Sequence, residues 1–421
     1  MKEYFHSVIL DETKCNGCTN CMRRCPTEAI RIKDKKAHII KERCIDCGEC
    51  IRVCPYYAQN SATDDLNKLK EYKFNIAIVP FSMYGQFSSD LDMDKIFQGI
   101  KSLGFDYVYD EAHAADIATI SIKQEIKKTD LPKPIISSLC PAVLRLIQIN
   151  FPSLIDNIIR IESPMEIAGR LAKKKVMDEY NLDSDEVGVF YLTHCPAKVT
   201  SIKNPIGIKN SYIDGAIAIK RIYGDILRNA TTVKKVESFS KGSSLGIGWA
   251  KVGGQSEALG IENYIAVDGI ENVIKVLEEA ELGKLDNIDY IEAMACVGGC
   301  VGGPLTVENP FIAKSRIRRT IEEKSKIMRV NEEEILNLYK EGIFSLTEEI
   351  EAKGIMKLDE DIKMAIRKIE KIKQITDSLP GLDCGSCGAP TCRALAEDIV
   401  LGYATIDNCV FRMNKSTNIS K

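Results

Sequence analysis

Two cysteines in the glycine-rich stretch Glu292–Pro304 have the clearest potential for chemistry. Cys296 and Cys300 occur in the sequence Cys-Val-Gly-Gly-Cys, and no charged residue lies between Ala293 and Val307. Thiolates at this spacing can bind two irons of one iron–sulfur cubane, and glycines allow the backbone to approach a bulky group. A plain turn with two core cysteines is the alternative. The stretch predicts a metal cluster because other cysteines can supply the missing ligands.

The N-terminal part of the chain contains a repeated cysteine pattern. The spacing Cys-x2-Cys-x2-Cys-x3-Cys-Pro begins at Cys15 and again at Cys44. It is the spacing of bacterial two-cluster ferredoxins, in which the fourth cysteine of each run binds the cluster of the other run. Zinc sites would not require the Cys-Pro ending. We therefore predict one [4Fe–4S] cluster at Cys15, Cys18, Cys21 and Cys54, and a second at Cys25, Cys44, Cys47 and Cys50.

A third cysteine group lies near the C-terminus, after the turn-forming sequence Leu379-Pro-Gly-Leu-Asp. Its four members are Cys384, Cys387, Cys392 and Cys409. The segment from Cys384 to Cys392 resembles the iron–sulfur module of Rnf-type electron-transport subunits and corrinoid iron–sulfur proteins. That resemblance favours a [4Fe–4S] cluster. Zinc is the alternative, because the spacing to the last cysteine is less diagnostic.

Four cysteines then remain, namely Cys140, Cys195, Cys296 and Cys300. They lie in three separated segments, which excludes a local zinc finger and favours one further, buried cluster.

The elements around these cysteines alternate between apolar strands and helices. Predicted strands are Phe74–Pro80, Tyr107–Tyr109, Pro134–Cys140, Glu186–Leu192, Tyr212–Ala216 and Asn287–Ala293. Such alternation indicates an α/β domain with a largely parallel sheet, in which ligands gather at the carboxyl ends of the strands. Cys140, Cys195 and Cys296 all fall at or just after such ends.

Three segments of this chain resemble the signature motifs of [FeFe]-hydrogenases. They are Ser137-Ser-Leu-Cys-Pro141, His194-Cys-Pro-Ala-Lys198 and Glu292-x-Met-Ala-Cys-x-Gly-Gly-Cys-x-Gly-Gly303. The third match is highly specific and the other two are partial. The resemblance covers roughly residues 1–310. It implies an H-cluster, in which all four remaining cysteines hold a cubane and Cys300 also bridges to a diiron subsite carrying CO, CN⁻ and a dithiolate.

The resemblance also implies roles for other residues. Lys198 matches the cation that faces cyanide, and Met294 matches a methionine beside the cluster. The remaining predicted contacts with the cofactor are Val79 and Pro80 after the first strand, Trp249, and the glycines Gly298 and Gly299.

Departures from the family pattern predict slow turnover. Catalytic members have a proton-passing cysteine where this chain has Leu139, and leucine cannot transfer a proton. Ile122 replaces one relay glutamate, whereas Glu125 matches the other. Other departures are Thr193, Ser201 and Met165. The candidate proton groups are His194, Glu125 and Glu292.

These departures, together with the C-terminal cluster, resemble the sensory branch of the family. We therefore expect an H2 or redox sensor with three [4Fe–4S] clusters plus an H-cluster. Its expected partners are H2 and protons, a redox partner such as ferredoxin or a signalling protein, and hydrogenase maturases. The alternatives are a catalytic ferredoxin-linked hydrogenase and a Nar-type electron-transfer or assembly protein without the diiron site.

We predict three domains. These are a ferredoxin-like domain in residues 1–65, an H-cluster domain in residues 66–330, and a helical segment with the C-terminal [4Fe–4S] domain in residues 331–421. The predicted fold is an α/β H-cluster domain with largely parallel sheets, flanked by a small α+β ferredoxin-like domain and a helical C-terminal domain.

Composition excludes several classes of protein. The chain has 421 residues and a formal charge of −3, which argues against a nucleic-acid partner. No apolar run approaches the length of a membrane span and the first residues lack a signal-peptide pattern, so we expect no membrane partner. We expect a cytoplasmic location in an anaerobe because the predicted chemistry is oxygen-sensitive. Sixteen cysteines indicate metal in a reducing compartment, and only four histidines argue against zinc or haem.

Overall fold

The computed structural model describes residues 5–128, 131–354, 358–359 and 361–411. The strands are β1 (Val8–Leu10), β2 (Ile30–Lys33), β3 (Lys36–Ile39), β4 (Gln59–Ser61), β5 (Phe74–Val79), β6 (Tyr107–Asp110), β7 (Ile135–Ile136), β8 (Val187–Thr193), β9 (Gly215–Ala218), β10 (Tyr264–Asp268) and β11 (Tyr290–Met294).

The helices are α1 (Asn20–Arg23), α2 (Glu49–Arg52), α3 (Met93–Lys101), α4 (Glu111–Ile126), α5 (Pro141–Asn150), α6 (Pro164–Tyr180), α7 (Pro196–Lys203), α8 (Ile219–Thr232), α9 (Ser244–Gly248), α10 (Gly254–Leu259), α11 (Ile270–Glu281), α12 (Pro310–Glu323), α13 (Glu332–Lys340), α14 (Ile362–Ser378) and α15 (Cys392–Val400). None of these described helices combines the length and apolar character needed to span a bilayer.

The described chain forms two compact units. One contains the residues up to Ser7 together with Ala62–Ala352, and the other contains Val8–Ser61 together with the segment from Lys353 onward. The second unit therefore combines the ferredoxin-like cysteine repeat with the C-terminal cysteine group. The division into three domains stays a prediction.

The first unit contains a four-stranded parallel sheet in the order β6-β5-β8-β9. Strands β5 and β8 are nearly continuous apolar runs and are buried along their length. This is the expected pattern for parallel strands covered on both faces. The sheet confirms the predicted α/β fold and directs the carboxyl end of β8 toward Cys195.

A second parallel sheet in this unit has the order β10-β11-β7. The predicted strand Pro134–Cys140 is limited to Ile135–Ile136, because the chain leaves the sheet after that pair. There Ser138 Oγ donates to the carbonyl of Ile161 at 2.7 Å, and the Leu139 amide donates to Ser137 Oγ at 3.2 Å.

The predicted strand Tyr212–Ala216 is shifted to Gly215–Ala218. The reason is a buried carboxylate, because Glu166 accepts hydrogen bonds from Ser211 Oγ and from the Tyr212 amide at 2.8 and 2.9 Å. This segment therefore satisfies its polar groups on a side chain instead of a neighbouring strand.

The second unit contains two antiparallel strand pairs, β1 with β4 and β2 with β3, together with the short helices α1 and α2. Its C-terminal part contributes α14 and α15, which pack around a small core that includes Ile372, Leu379 and Leu395. These two parts match the predicted ferredoxin-like and helical C-terminal iron–sulfur regions.

Candidate metal centre

The ferredoxin-like part of the second unit encloses two cavities lined by cysteines. One cavity is lined by Cys25, Cys44, Cys47 and Cys50. The other is lined by Cys15, Cys18, Cys21 and Cys54. Each cavity therefore combines three cysteines of one run with the fourth cysteine of the other run. The structure brings both predicted ligand sets together.

Backbone amides point at several of these sulfurs. Ala29 N lies 3.2 Å from Cys25 Sγ, and Ala58 N lies 3.3 Å from Cys54 Sγ. Burial raises the pKa of the Cys21 thiol to about 11. A thiol in this setting needs a nearby cation to ionise, and amide hydrogen bonds stabilise the resulting thiolate. The donor set therefore fits an iron–sulfur cluster.

The C-terminal cysteines lie on a glycine-containing loop and on the elements around α15. Cys384 and Cys387 flank Gly385, which has a φ of +73°. Cys392 begins α15 and Cys409 is buried. Burial raises the pKa of Cys387, and charges on Cys384 and Cys409 raise it further. Cys387, Cys392 and Cys409 belong to or pack against the same small core.

In the first unit, two of the remaining cysteines precede helices. Cys140 is the N-cap of α5 after β7, and Cys195 is the N-cap of α7 after β8. A proline follows each cysteine and begins its helix. The positive end of a helix dipole favours a thiolate at this position, which suits a metal ligand. Cys296 follows β11, which pairs with β7.

These thiols interact electrostatically. Burial raises the pKa of Cys195 to about 12, and the charge of Cys140 adds to that shift. Burial also raises the pKa of Cys300, and Lys198 opposes this while Cys140 and Cys195 reinforce it. The charges of Cys140, Cys195, Cys300 and Lys198 therefore act on one another, which places these residues in one region of the first unit. Cys296 is buried on the same glycine-rich turn as Cys300.

The glycine-rich turn packs against two other segments. A Cβ on Gly299 would lie 2.7 Å from the amide nitrogen of Val252, and one on Gly303 would lie 2.2 Å from the carbonyl oxygen of His194. The Leu305 amide donates to that His194 carbonyl at 3.0 Å. At these two positions, protein backbone is the close neighbour that requires glycine.

Lys198 has a buried counter-ion that the sequence analysis missed. Its ammonium nitrogen lies 3.2 Å from Glu111 Oε1, and the two side chains are 2% and 0% exposed. Tyr191 donates its hydroxyl to Glu111 Oε2 at 3.0 Å. The only sequence signal for Glu111 is its position directly after β6, at the edge where parallel strands end.

These neighbours determine the charge of Lys198. Burial opposes the ammonium form, yet the negative charges of Glu111 and Cys300 raise the pKa of Lys198 overall. Burial raises the pKa of Glu111, and Lys198 opposes that shift. The Tyr191 ring lies 4.8 Å from the ammonium, which adds a cation–π contact. Glu111 therefore favours the charged form of Lys198.

The other predicted cofactor contacts are buried. Val79, Met294 and Trp249 are at most 2% exposed, and Pro80 follows β5 as the N-cap of a short 3-10 helix. Trp249 Nε1 is buried and has no hydrogen-bond partner among the described residues. A buried donor without an acceptor suits a pocket that receives an acceptor from a ligand. Gly298 follows Cys296 closely and donates its amide to Asp268.

The predicted proton groups lie in different places. His194 is buried beside Cys195, with Nδ1 3.1 Å from Ser82 Oγ, and burial lowers its pKa well below the ordinary value. Glu125 accepts hydrogen bonds from Tyr339 and Lys128. It lies near the end of α4 opposite to Glu111, roughly 20 Å away along the helix. The structure does not bring Glu125 to the cysteines.

Glu292 is also buried, and its carboxylate is fully used. It accepts hydrogen bonds from the Gly253 amide and from the amide and hydroxyl of Ser256, at 2.8 to 2.9 Å. These bonds tie β11 to the start of α10.

Comparison with known families extends this geometry. The family model described as iron only hydrogenase large subunit, C-terminal domain, matches residues 74–264 and 218–304. The chain belongs to the iron-only hydrogenase family. A 4Fe-4S dicluster domain matches residues 7–55 of this hydrogenase-family chain, and an Fe–S cluster family matches residues 379–411. The recognition made from the three motifs is confirmed at the level of the family.

Curated relatives agree with this assignment. The chain is 26% identical over 383 residues to the periplasmic [Fe] hydrogenase large subunit of Nitratidesulfovibrio vulgaris, covering 75% of this chain and 90% of that protein. It is 24% identical to iron hydrogenase 1 of Clostridium pasteurianum, covering 70% of this chain and 64% of that protein. A shorter similarity, 30% over 88 residues, joins it to the cytosolic Fe-S cluster assembly factor NAR1 of Yarrowia lipolytica, covering 21% of this chain and 18% of that protein.

Solved structures show the same fold. One variant of the [FeFe]-hydrogenase HydA1 of Chlamydomonas reinhardtii aligns with a TM-score of 0.53 at 14% identity, covering 69% of this chain and 98% of that one. A second variant of the same hydrogenase aligns with a TM-score of 0.55 at the same identity and coverage. Iron–sulfur cofactors and an [FeFe]-hydrogenase fold are therefore established for the family-matched part of this chain.

Proposed function

We propose that this protein is a low-turnover [FeFe]-hydrogenase that senses H2 or redox state. It binds H2, slowly oxidises or evolves it at an H-cluster, and passes electrons through three [4Fe–4S] clusters. Family membership and the convergence of Cys140, Cys195 and Cys300 near Lys198 support the site, and buried Cys296 supplies the fourth ligand.

The four cysteines would hold the H-cluster, which when bound would supply the chemistry that interconverts H2 with two protons and two electrons. The protein's own residues shape the surroundings. Lys198 provides a fixed cation, and Trp249 offers an unused N–H donor. Met294 and Val79 keep the pocket apolar and exclude water.

One observation carries the low-turnover part of the proposal, namely the side chain at position 139. Leu139 is 2% exposed and directly precedes Cys140. It has neither a proton to give nor a lone pair to receive one, so protons must use another route. His194 lies beside Cys195, whereas Glu125 is held by Tyr339 and Lys128 in the outer part of α4.

Infrared spectroscopy after treatment with hydrogenase maturases tests the proposal. Iron-bound CO and CN⁻ absorb where protein does not, so the loaded wild type should show their bands. Cys300→Ala should lose them while keeping the clusters of the ferredoxin-like part. Exposure of the loaded wild type to H2 should reduce the clusters, with H2 evolution far slower than in a catalytic hydrogenase. A wild type without CO and CN⁻ bands would overturn the H2 assignment.

A second candidate function is favoured by the pairing of Lys198 with Glu111. A lysine whose charge is already balanced does not need cyanide as a partner. This suits a Nar-type protein that uses its cubanes for electron transfer or cluster handover without a diiron site. The same infrared measurement separates the two functions, because only the hydrogenase gains the bands.

The sensing role requires an outlet for electrons. We propose that a redox partner such as ferredoxin, or a signalling protein, exchanges electrons with the cubane clusters. A cytoplasmic location belongs to the same proposal. It is supported by the sixteen cysteines, all within the described residues and none of them in a disulfide.

A further inference from the structure

Two buried ion pairs join the C-terminal cysteine module to the ferredoxin-like part of the second unit. Arg31 donates two hydrogen bonds to Asp398, at 2.6 and 3.2 Å. The two side chains are 5% and 10% exposed. Arg43 pairs with Glu397, and these side chains are 9% and 14% exposed. Separating the two partners of a buried ion pair costs free energy, because each charge is then left without a partner. Such pairs therefore fix one relative position of the segments that they join.

The loop that contains Cys384 and Cys387 makes the closest backbone contact. The Ile32 amide donates to the carbonyl of Gly388 at 2.8 Å. Gly388 has a φ of +84°, and a Cβ there would lie 2.0 Å from the Ile32 carbonyl oxygen. Arg23 donates to the carbonyl of Cys384. The loop therefore lies directly on β2 and on the end of α1.

This contact involves a residue that lines one of the two cysteine-lined cavities. Ile32 lines the cavity of Cys15, Cys18, Cys21 and Cys54, whereas it does not line the other cavity. Helix α1 carries Cys21, and its next residue Met22 is fully buried against Gly385. One backbone hydrogen bond thus separates the residue after Cys387 from a residue of the cavity wall.

We propose that the C-terminal cluster exchanges electrons directly with the cluster of Cys15, Cys18, Cys21 and Cys54. In each step one electron passes from a reduced [4Fe–4S]⁺ cluster to an oxidised [4Fe–4S]²⁺ cluster, and no bond or proton is exchanged. The loop 384–388 is the bridge, and the ion pairs at Arg31 and Arg43 hold it in place. The C-terminal cluster is then a branch of the ferredoxin-like relay. This proposal does not depend on the diiron site.

Electron paramagnetic resonance of the full chain, produced with its cubane clusters but without maturases, tests the proposal. Two reduced clusters that exchange electrons directly also couple magnetically. The reduced wild type should show broadened, split signals from this pair, in addition to the coupling between the two clusters of the ferredoxin-like part. Cys50→Ser removes that second contribution, and in the Cys50→Ser background Cys387→Ser, which removes a ligand of the C-terminal cluster, should abolish the splitting. In the same background Cys21→Ser should abolish it as well, whereas Cys50→Ser alone, at the other cavity, should leave the splitting of this pair in place.

A glycine pair provides the matched control for the bridge. Gly388→Ala places its Cβ against the Ile32 carbonyl, whereas Gly381 also has a positive φ but nothing lies within 4 Å of its Cβ position. In the Cys50→Ser background, Gly388→Ala should lose the splitting while keeping its iron, and Gly381→Ala should retain both. If Gly388→Ala loses iron, a second test uses the ion pair of Arg31 with Asp398. The single variants Arg31→Asp and Asp398→Arg should each lose the magnetic coupling, and the double variant, in which the two charges are exchanged, should recover it.

The kinetic consequence is measured by photoreduction followed by freeze-quenching. The C-terminal cluster should accept electrons more slowly, by about tenfold or more, when Cys21→Ser removes its neighbour. A wild type without magnetic splitting, a splitting abolished by Cys50→Ser instead of Cys21→Ser, or equal reduction rates in the presence and absence of the Cys21 cluster would each overturn the proposal. None of these results depends on H2.

Discussion

The ammonium of Lys198 lies 3.2 Å from the carboxylate of Glu111, deep in the first unit and away from solvent. The resemblance to hydrogenases implies that Lys198 faces a ligand of the diiron subsite, yet in this chain it also has a protein counter-ion. Glu111 further binds the Tyr191 hydroxyl and the Phe81 amide. The carboxylate therefore helps to hold the lysine ammonium in one position.

We expect Glu111→Gln to strengthen the interaction of Lys198 with the cofactor. Glutamine keeps the size of the side chain but removes the charge, so the cyanide bands of the loaded protein should shift. Because one buried charge loses its partner, stability should fall by about 3 kcal/mol. Asp110→Asn is the control, since Asp110 is an adjacent buried carboxylate that binds Tyr84 instead of Lys198. It should change stability without moving the bands; equal shifts in both variants would contradict this role of Glu111.

A second prediction concerns the proton route at position 139. Leu139→Cys introduces a thiol directly before Cys140 and should raise H2 evolution by about tenfold or more, because positioned proton donors typically contribute factors of that size. The measurement is evolution from a reduced viologen dye. Leu139→Ala opens similar space without a thiol and should not reproduce the gain. An unchanged or lower rate for Leu139→Cys would indicate that protons enter elsewhere.

The crossed arrangement of the ferredoxin-like cysteines predicts paired phenotypes. Cys54→Ser should perturb the same cluster as Cys18→Ser, because both residues line the same cavity. Cys25→Ser should instead match Cys47→Ser. Electron paramagnetic resonance spectra of the reduced variants would distinguish the two clusters. If Cys54→Ser matched Cys47→Ser, each run would bind its own cluster and the crossed ligation would be wrong.

Glu162 should make stability depend on pH. It is buried and paired with Arg170, and burial raises its pKa to about 8 against the opposing charge of that arginine. The folded protein then binds a proton that the unfolded chain releases near pH 4.5, so the free energy of unfolding falls as pH rises from 4.5 to about 8.

Thermal unfolding under anaerobic conditions checks this dependence. Between about pH 5 and about pH 9 the wild type should lose roughly 4 kcal/mol more than Glu162→Gln, which cannot ionise there. Glu279→Gln, at an exposed ion pair with Lys284, should follow the wild type. A wild-type curve that rises with pH relative to Glu162→Gln would contradict the assignment.

The sequence predicts most of the framework because cysteine spacing and apolar runs are local signals. The runs at β5 and β8 predict buried parallel strands, and the motifs around Cys195 and Cys300 identify the family. The ends of strands are harder to predict from the sequence, because they depend on polar groups that are distant along the chain. Glu166 accepts a hydrogen bond from the Tyr212 amide, so β9 begins later in the chain than predicted. No sequence pattern near Tyr212 indicates this bond.

Contacts between side chains that lie far apart along the chain could not be predicted from the sequence. Glu111 is a single carboxylate after a strand, and only the folded chain brings it to Lys198. The pairing of Arg31 with Asp398 likewise joins residues 367 positions apart, without any local signal at either. Such contacts arise from tertiary packing, which pairs charges that lie far apart along the chain.

The four cysteines of the buried site come from elements of two different sheets. Cys140 and Cys296 follow neighbouring strands of the three-stranded sheet, whereas Cys195 follows β8 of the four-stranded sheet. Iron bound by these cysteines, as proposed, would link the two sheets of the unit. In iron-depleted protein, the rate of amide hydrogen exchange should therefore rise first for residues between the two sheets and only later for residues within either sheet.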